Sequence, residues 1–236
     1  MSANLAGSMP DPREVRSMFG RIAGRYDLLN RVLSAGIDQR WRARTVRAAG
    51  PVKGRVVVDA CCGTGDLSLA FARAGANVIG VDFTPEMLRC AGPKATRGAL
   101  RGLFVNGDAL RLPIESASAD IASVAFGVRN LADPEAGLRE MARVLKPGGR
   151  LLVLEFSPPP RGWLGALYRC YFTRLLPWFG GLISGDREAY RYLPRTVAAW
   201  HAPADFQRRM EALGLVDCGF ESLTGGVAAL HWGTRA

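Results

Sequence analysis

No run of about twenty apolar residues occurs in this 236-residue chain, and the longest uncharged candidate, Leu175 to Gly185, falls well short of a membrane span. The five cysteines, at 61, 62, 90, 170 and 218, are odd in number and form no C-x-x-C pair. Neither a disulfide framework nor a zinc site is indicated, and a reducing cytoplasm is the expected setting. The first twelve residues carry no apolar core of the kind a secretory signal needs. Acidic residues are scarce against basic ones, 21 to 31, which leaves a formal net charge of +10 carried mainly by arginine. Disorder is excluded as a general description, because 48% of the residues are hydrophobic and 22% charged, ordinary values for a globular domain.

The excess charge is uneven. Residues 1–55 hold eleven basic and four acidic side chains, so the N-terminal segment is the basic part. A solvated arginine-rich face, an anionic membrane surface and nucleic acid are the three readings of that segment, in that order. From Val15 the apolar positions Val15, Met18, Phe19, Ile22 and Tyr26 follow helical spacing, with Arg13, Arg16, Arg21 and Arg25 on other faces. Gly24 is expected to weaken this helix, and Tyr26 to Asn30 to lead into a second one running through Trp41 to Val46.

The stretch from Arg55 to Ala70 organises the rest. Val56 to Val58 is a β-branched run, Gly63-Thr64-Gly65 a tight turn, and Leu67 to Phe71 the start of a helix. Strand, glycine turn and helix in that order place a ligand outside the carboxyl end of the first strand of a doubly wound sheet. A dinucleotide fingerprint needs a third glycine where Ser68 stands, and Asp59 and Asp66 flank the turn. Two carboxylates repel a pyrophosphate and suit a cationic ligand, which favours S-adenosylmethionine over a nicotinamide or flavin dinucleotide.

The following hundred residues alternate strand and helix. Strands are expected at Val78 to Val81, Leu103 to Asn106, Ile121 to Phe126 and Leu151 to Phe156. Helices are expected after Thr84-Pro85 and Asp133-Pro134, with Thr84 and Asp133 as caps, and Lys146 to Gly149 stops the second. Repeated β-α-β order implies a parallel sheet with right-handed crossovers. Trp163 to Phe179 concentrates six aromatics among arginines, as a lid, a membrane-facing helix or core. Ala204 to Leu213 reads as a helix, and Gly219 to Leu223 with Val227 to Trp232 as a terminal hairpin.

Several motifs carry a resemblance over nearly the whole chain. Asp59 to Asp66 resembles the first motif of class I S-adenosylmethionine-dependent methyltransferases, D-x-G-x-G-x-G, with Cys61 at the first glycine. Arg25 to Asn30, Phe126-Gly127-Val128-Arg129-Asn130, Arg143 to Gly149, Leu154 to Ser157, Tyr190 to Leu193 and Ala229 to His231 are similar to the demethylmenaquinone and ubiquinone C-methyltransferase family. The resemblance implies a Rossmann-like α/β fold. Its central sheet has seven mostly parallel strands, helices on both faces and an antiparallel C-terminal hairpin. The expected organisation is a basic helical segment over 1–54 that covers the substrate, then a donor-binding domain over 55–236 with an aromatic insertion at about 160–200.

The site residues follow from the same matches. Asp82, at the end of the second strand, is placed to accept hydrogen bonds from ribose hydroxyls; Asp108 and Ala109 match the adenine-contacting position; Gly63, Thr64 and Gly65 match the methionine contacts; Asp59 ranks lower, as a support of the turn. Ala125 stands where some members have serine, so that cofactor contact is not carried over. The family methylates a ring carbon of a reduced polyprenyl quinone, which requires an ionised phenol. Arg129 is the expected phenolate stabiliser, Asn130 orients the ring oxygen or a water, and Tyr26 closes over the site; the alternative for Arg129 is a salt bridge with Glu155 or Asp133. His231 reads as a structural histidine. No metal site is expected, which argues against catechol-type O-methylation. Demethylmenaquinol is the expected acceptor, because the short span from the first strand to Asp82 resembles menaquinone-only members. A ubiquinone precursor, or another lipid or small phenol, is the alternative, and an RNA-binding module a more remote one. A polyprenyl acceptor implies contact with the inner face of a membrane, and a homodimer is compatible with the sequence.

Overall fold

The computed structural model describes residues 11–98, 102–159, 165 and 187–236, and for 187–191 the backbone alone. The chain starts with two helices, α1 (Pro12–Leu33) and α2 (Ile37–Ala48). There follow β1 (Val56–Ala60), α3 (Asp66–Arg73), β2 (Asn77–Asp82), α4 (Pro85–Arg97), β3 (Gly102–Asn106), β4 (Ala119–Ala125), α5 (Pro134–Val144) and β5 (Leu145–Phe156). The remaining described α-helices and strands are α6 (Arg187–Ala198), α7 (Pro203–Ala212), β6 (Leu215–Leu223) and β7 (Ala228–Arg235), with short 3-10 turns at Val128–Asn130 and Thr224–Gly226. The aromatic stretch from Trp163 to Phe179 lies outside the described residues.

The seven strands form one sheet in the order β3-β2-β1-β4-β5-β7-β6. β1 to β5 run parallel, and β7 is antiparallel to both β5 and β6. Side chains alternate across this sheet, as pleating requires. In β1, Val57 belongs to the core cluster of Leu67 and Phe71 of α3 and of Ala49 and Val52 after α2, while its neighbour Val58 belongs to the one that takes in Leu138 and Met141 of α5 and Phe206 and Met210 of α7. Leu151 and Leu152 of β5 divide the same way. Strand order reverses between β1 and β4, and a crevice opens there at the carboxyl ends of the strands.

Two local expectations are corrected. Gly24 does not interrupt α1. It faces solvent, with nothing within 4 Å of where a Cβ would stand, so its cost of about 1 kcal/mol is offset by burial of Val15, Met18, Ile22 and Leu29. The break falls instead at Ala35 (φ +49°) and Gly36 (φ +75°), where two successive left-handed residues end the helix. Thr84 occupies the cap position of α4 without a side-chain capping bond, and its backbone N–H is taken by Asp82. Asp133 does cap α5, accepting from the Ala136 amide at 2.9 Å.

Candidate functional site

A cleft, open to solvent, lies over the carboxyl ends of β1, β2, β3 and β4. Its floor comes from the loops that follow those strands. Gly63 has φ +57° and nothing within 4 Å of its missing Cβ, so the turn exposes bare backbone to the cleft. Gly65 opens α3 at φ +82°, where a Cβ would meet the Phe104 ring at 3.0 Å.

Asp82 ends β2 buried, and both its oxygens are engaged by backbone: Oδ2 accepts from Gly63 N and Oδ1 from Thr84 N, each at 2.8 Å. Burial still pushes its carboxyl above the usual range, against the pull of those two bonds and of one from the Thr84 hydroxyl. A carboxylate has about four acceptor positions, so about one remains for a ligand hydroxyl. Asp108 and Ala109 line the adjoining wall, Asp108 Oδ1 accepting from Leu110 N at 2.9 Å. Cys61 lines the cleft between these acids. Burial raises its thiol well above the ordinary value, and the charges of Asp82, Asp59, Asp108 and Glu155 add to the shift. The loop region therefore carries a negative potential.

Asp59 is set apart. Its carboxylate is buried beneath the loop, accepting from Ser68 Oγ at 2.5 Å and Ser123 Oγ at 2.8 Å, and desolvation raises its pKa to about 6. It ties α3 and β4 to β1 and does not line the cleft. Thr64 is buried as well, and its hydroxyl donates to Asp27 of α1 at 2.5 Å. Lys94 of α4 bridges Asp27 and Asp66, at 2.8 Å from the latter. The N-terminal helix is thus fastened to the glycine turn by side chains.

The far end of the cleft is aromatic. Phe19 and Tyr26 of α1 contribute rings 6.0 Å apart at 76°, and Phe126 supplies the facing wall. Burial raises the Tyr26 phenol, opposed by a hydrogen bond from Asn30 and by the charges of Arg42 and Arg129, so the hydroxyl stays protonated at neutral pH. Asn130 lines the cleft from a short helical turn, Val128–Asn130, that follows β4.

Arg129 does not line it. The guanidinium is buried, 2.5 Å from Glu155 Oε1 and 2.7 Å from the Phe126 carbonyl, and lies 5.3 Å from the centre of the Phe156 ring. The salt-bridge alternative raised by the sequence is therefore the arrangement found, with Glu155 and not Asp133 as partner. His231 is buried with Nε2 3.1 Å from the Pro203 carbonyl, and its pKa is lowered to about 4 by desolvation. It is a structural histidine. Tyr192 of α6, to which the sequence assigned no role, donates from its hydroxyl to Asn130 Oδ1 at 3.0 Å. Among the described residues no cluster of acidic, histidine or cysteine side chains is arranged to hold a metal ion.

The sequence profile of the ubiE/COQ5 methyltransferase family matches residues 8–235. The chain belongs to that family. Among relatives in the ubiE/COQ5 group, a demethylmenaquinone methyltransferase of Thermus thermophilus is 50% identical over 220 residues, covering 92% of this chain and 100% of the relative. The ubiquinone/menaquinone biosynthesis C-methyltransferase UbiE of Syntrophotalea carbinolica is 46% identical over 226 residues, covering 95% of each chain. The fold is shared with magnesium protoporphyrin IX methyltransferase from Synechocystis PCC 6803, solved with SAH bound: TM-score 0.64, 22% identity, covering 96% of this chain and 100% of that one.

Proposed function

We propose that this chain transfers a methyl group from S-adenosylmethionine to a ring carbon of demethylmenaquinol, giving menaquinol. The observation that carries the acceptor is the 50% identity to a demethylmenaquinone methyltransferase along that relative's whole length. The donor fits the cleft on this chain's own chemistry. The acids around the glycine turn suit a ligand bearing sulfonium and ammonium charges and oppose a pyrophosphate. Asp82 has acceptor capacity left for a ribose hydroxyl, and Asp108 with Ala109 lies beside it for the adenine. The bare backbone at Gly63 leaves room for the methionine part, and Gly65 and Thr64 set the conformation of that turn.

When bound, S-adenosylmethionine supplies an electrophilic methyl group. The residues of this chain have to make a carbon nucleophile meet it. A quinol ring carbon is nucleophilic once an adjacent phenol has lost its proton, so the acceptor end must favour an anionic oxygen while excluding water. Tyr26 and Asn130 are the polar groups in an otherwise apolar end of the cleft, and each can donate to a ring oxygen. Arg129, held by Glu155 and the Phe126 carbonyl, fixes the turn that carries Asn130 and adds positive charge behind it. Phe19 and Phe126 give the ring apolar faces to lie between.

The polyprenyl tail of such an acceptor belongs in lipid. Along α1, Leu28 and Val32 are 57% and 51% exposed, one turn apart, beside the exposed Arg21, Arg25 and Arg31. Apolar side chains among cations on one helix suit the surface of an anionic bilayer, and no helix among the described residues is long and apolar enough to cross one. Docking at the inner face of the cell membrane is part of the proposal. Sedimentation with anionic vesicles tests it, and equal recovery in the supernatant with and without lipid refutes docking.

The reaction is tested with isotopically labelled S-adenosylmethionine and chemically reduced demethylmenaquinone in detergent, read by mass spectrometry, beside a reduced ubiquinone precursor. Label in menaquinone alone is the expected result. Label in both acceptors matches the wider specificity in the name of the Syntrophotalea relative. Donor binding without label in either quinol overturns the acceptor.

A further inference from the structure

Asn130 can serve an acceptor oxygen only if its amide points the right way, and two hydrogen bonds hold it, one of which decides the orientation. Its Nδ2 donates to the Phe126 carbonyl at 3.2 Å, a group that can only accept. Its Oδ1 accepts from the Tyr192 hydroxyl at 3.0 Å. The Phe126 carbonyl decides the choice of oxygen and nitrogen, since the flipped amide would set two acceptors against each other there, and the Tyr192 hydroxyl, able to donate or accept, then donates to the oxygen. With one Nδ2 hydrogen on Phe126, the second is the hydrogen this side chain has for the cleft it lines.

The Phe126 carbonyl is itself immobilised. It accepts from Arg129 Nη1 at 2.7 Å, and the residue sits at φ +60°, a left-handed conformation that a phenylalanine adopts only when its surroundings hold it there. Tyr192 is held too. Its ring packs on the cluster of Met18, Ile22, Leu29 and Val197, between α1 and α6, and Arg195 lies 5.9 Å from the ring centre. Burial of the phenol raises its pKa, so the hydroxyl carries its proton throughout the neutral range.

We infer that Tyr192 is a positioning residue for the acceptor: its hydroxyl locks the Asn130 amide so that one Nδ2–H faces the cleft as a donor to a ring oxygen of a hydroxylated aromatic substrate. The inference rests on the acceptor class proposed above. It connects α6 to the oxygen whose ionisation activates the ring. A rigid donor stabilises the phenolate relative to the phenol, and a freely rotating amide loses that preference.

The test compares the full-length enzyme with Tyr192→Phe, Asn130→Ala and the double variant, measuring kcat and kcat/KM for reduced demethylmenaquinone across pH and the Kd of S-adenosylmethionine by calorimetry. Phenylalanine keeps the ring packing and removes one hydrogen bond. Tyr192→Phe is expected to lower kcat/KM about tenfold, the worth of one hydrogen bond of ordinary strength, and to move the acid limb of the kcat profile, which reports ionisation in the bound complex, to higher pH. Asn130→Ala should lose at least as much, and Tyr192→Phe should cost nothing further on that background. The donor Kd should stay within about twofold in all three, which also reports that they fold. Wild-type rates in Tyr192→Phe, losses that multiply in the double variant, or a parallel loss of donor binding each overturn the role of Tyr192. If the wild-type enzyme methylates no quinol, the acceptor reading falls and this role falls with it; a methylating wild type with multiplying losses refutes Tyr192 alone.

Discussion

Two residues without the freedom of glycine stand in left-handed backbone at the two sides of the crevice, Cys61 at φ +51° after β1 and Phe126 at φ +60° after β4. Strain of this kind costs on the order of 1–3 kcal/mol and persists where packing overdetermines it. Here the next glycine supplies the room: a Cβ on Gly127 would stand 2.5 Å from Cys61 Cβ and 3.1 Å from its sulfur. Gly127 is therefore required for contact and not for conformation, because its own φ of −107° suits any residue. Gly127→Ala should lower stability by about 1–3 kcal/mol, the usual cost of forcing an extra methyl into a packed site. Adding Cys61→Gly removes the clashing atoms together with a strained left-handed residue, so the double variant should recover most of the loss. Urea midpoints of the two variants against wild type decide it. A double variant no more stable than Gly127→Ala places the cost elsewhere than the approach of these two loops.

At the scale of elements, the alternation of strands and helices from Val56 to Phe156 was legible in the sequence, because each strand is a short apolar run ended by a turn residue and each helix carries its own start signal. Asp82 and Asp108 were legible for the same reason, since a residue at the end of a parallel strand is aimed at the crevice whatever lies far from it in sequence. The partner of Thr64 was not: Asp27 is 37 positions away, and no local pattern encodes which side chains meet at that distance. For Arg129 the sequence offered Glu155 beside Asp133, and only the geometry, across 26 positions, chose between them. The unbroken course of α1 was also missed, since propensity at Gly24 is a local term and burial along the other face decided the outcome.

The fastening of α1 leads to a test at this scale. Lys94 neutralises Asp27 of α1 and Asp66 at the start of α3; burial pushes Asp66 up, and the ammonium overrides that and holds the carboxyl below its ordinary value. Lys94→Met leaves two partly buried carboxylates facing the same gap. The nearest relief is for α1 to lift, breaking the bond from Thr64 to Asp27. Amide exchange in α1 should quicken by about tenfold, corresponding to a loss of about 1–2 kcal/mol in local opening free energy, while amides of β1, β4 and β5 keep their protection. Equal acceleration throughout the sheet would mean that the ion pair supports the whole fold and not the attachment of this helix.

For the whole molecule, two buried groups, one on β1 and one on β7, make stability depend on pH in opposite directions. Asp59 titrates at about 6 in the folded state, above its ordinary 3.8, so between those values the native protein holds a proton that the unfolded chain has released. Its contribution to stability is therefore lost as pH rises from about 4 to 6. His231 titrates at about 4, below its ordinary 6.5, and over nearly the same range the unfolded chain holds the extra proton. Its contribution is gained as pH rises from about 4 to 6.5. Each shift corresponds to on the order of 3 kcal/mol across its window, so the two slopes largely cancel in the wild type. Asp59→Asn keeps both serine partners, accepting from one hydroxyl and donating to the other, and removes the first slope. His231→Gln retains a donor for the Pro203 carbonyl and removes the second. In denaturant titrations at pH 4, 5, 6 and 7, the stability of Asp59→Asn relative to wild type should rise up to pH 6 and then level. The stability of His231→Gln relative to wild type should fall up to about pH 6.5 and then level. Differences between curves remove every group the variants share, so curves that stay parallel to wild type would show that neither group is shifted. One predicted slope without the other would leave the wild type with a net pH dependence of the sign of the surviving group.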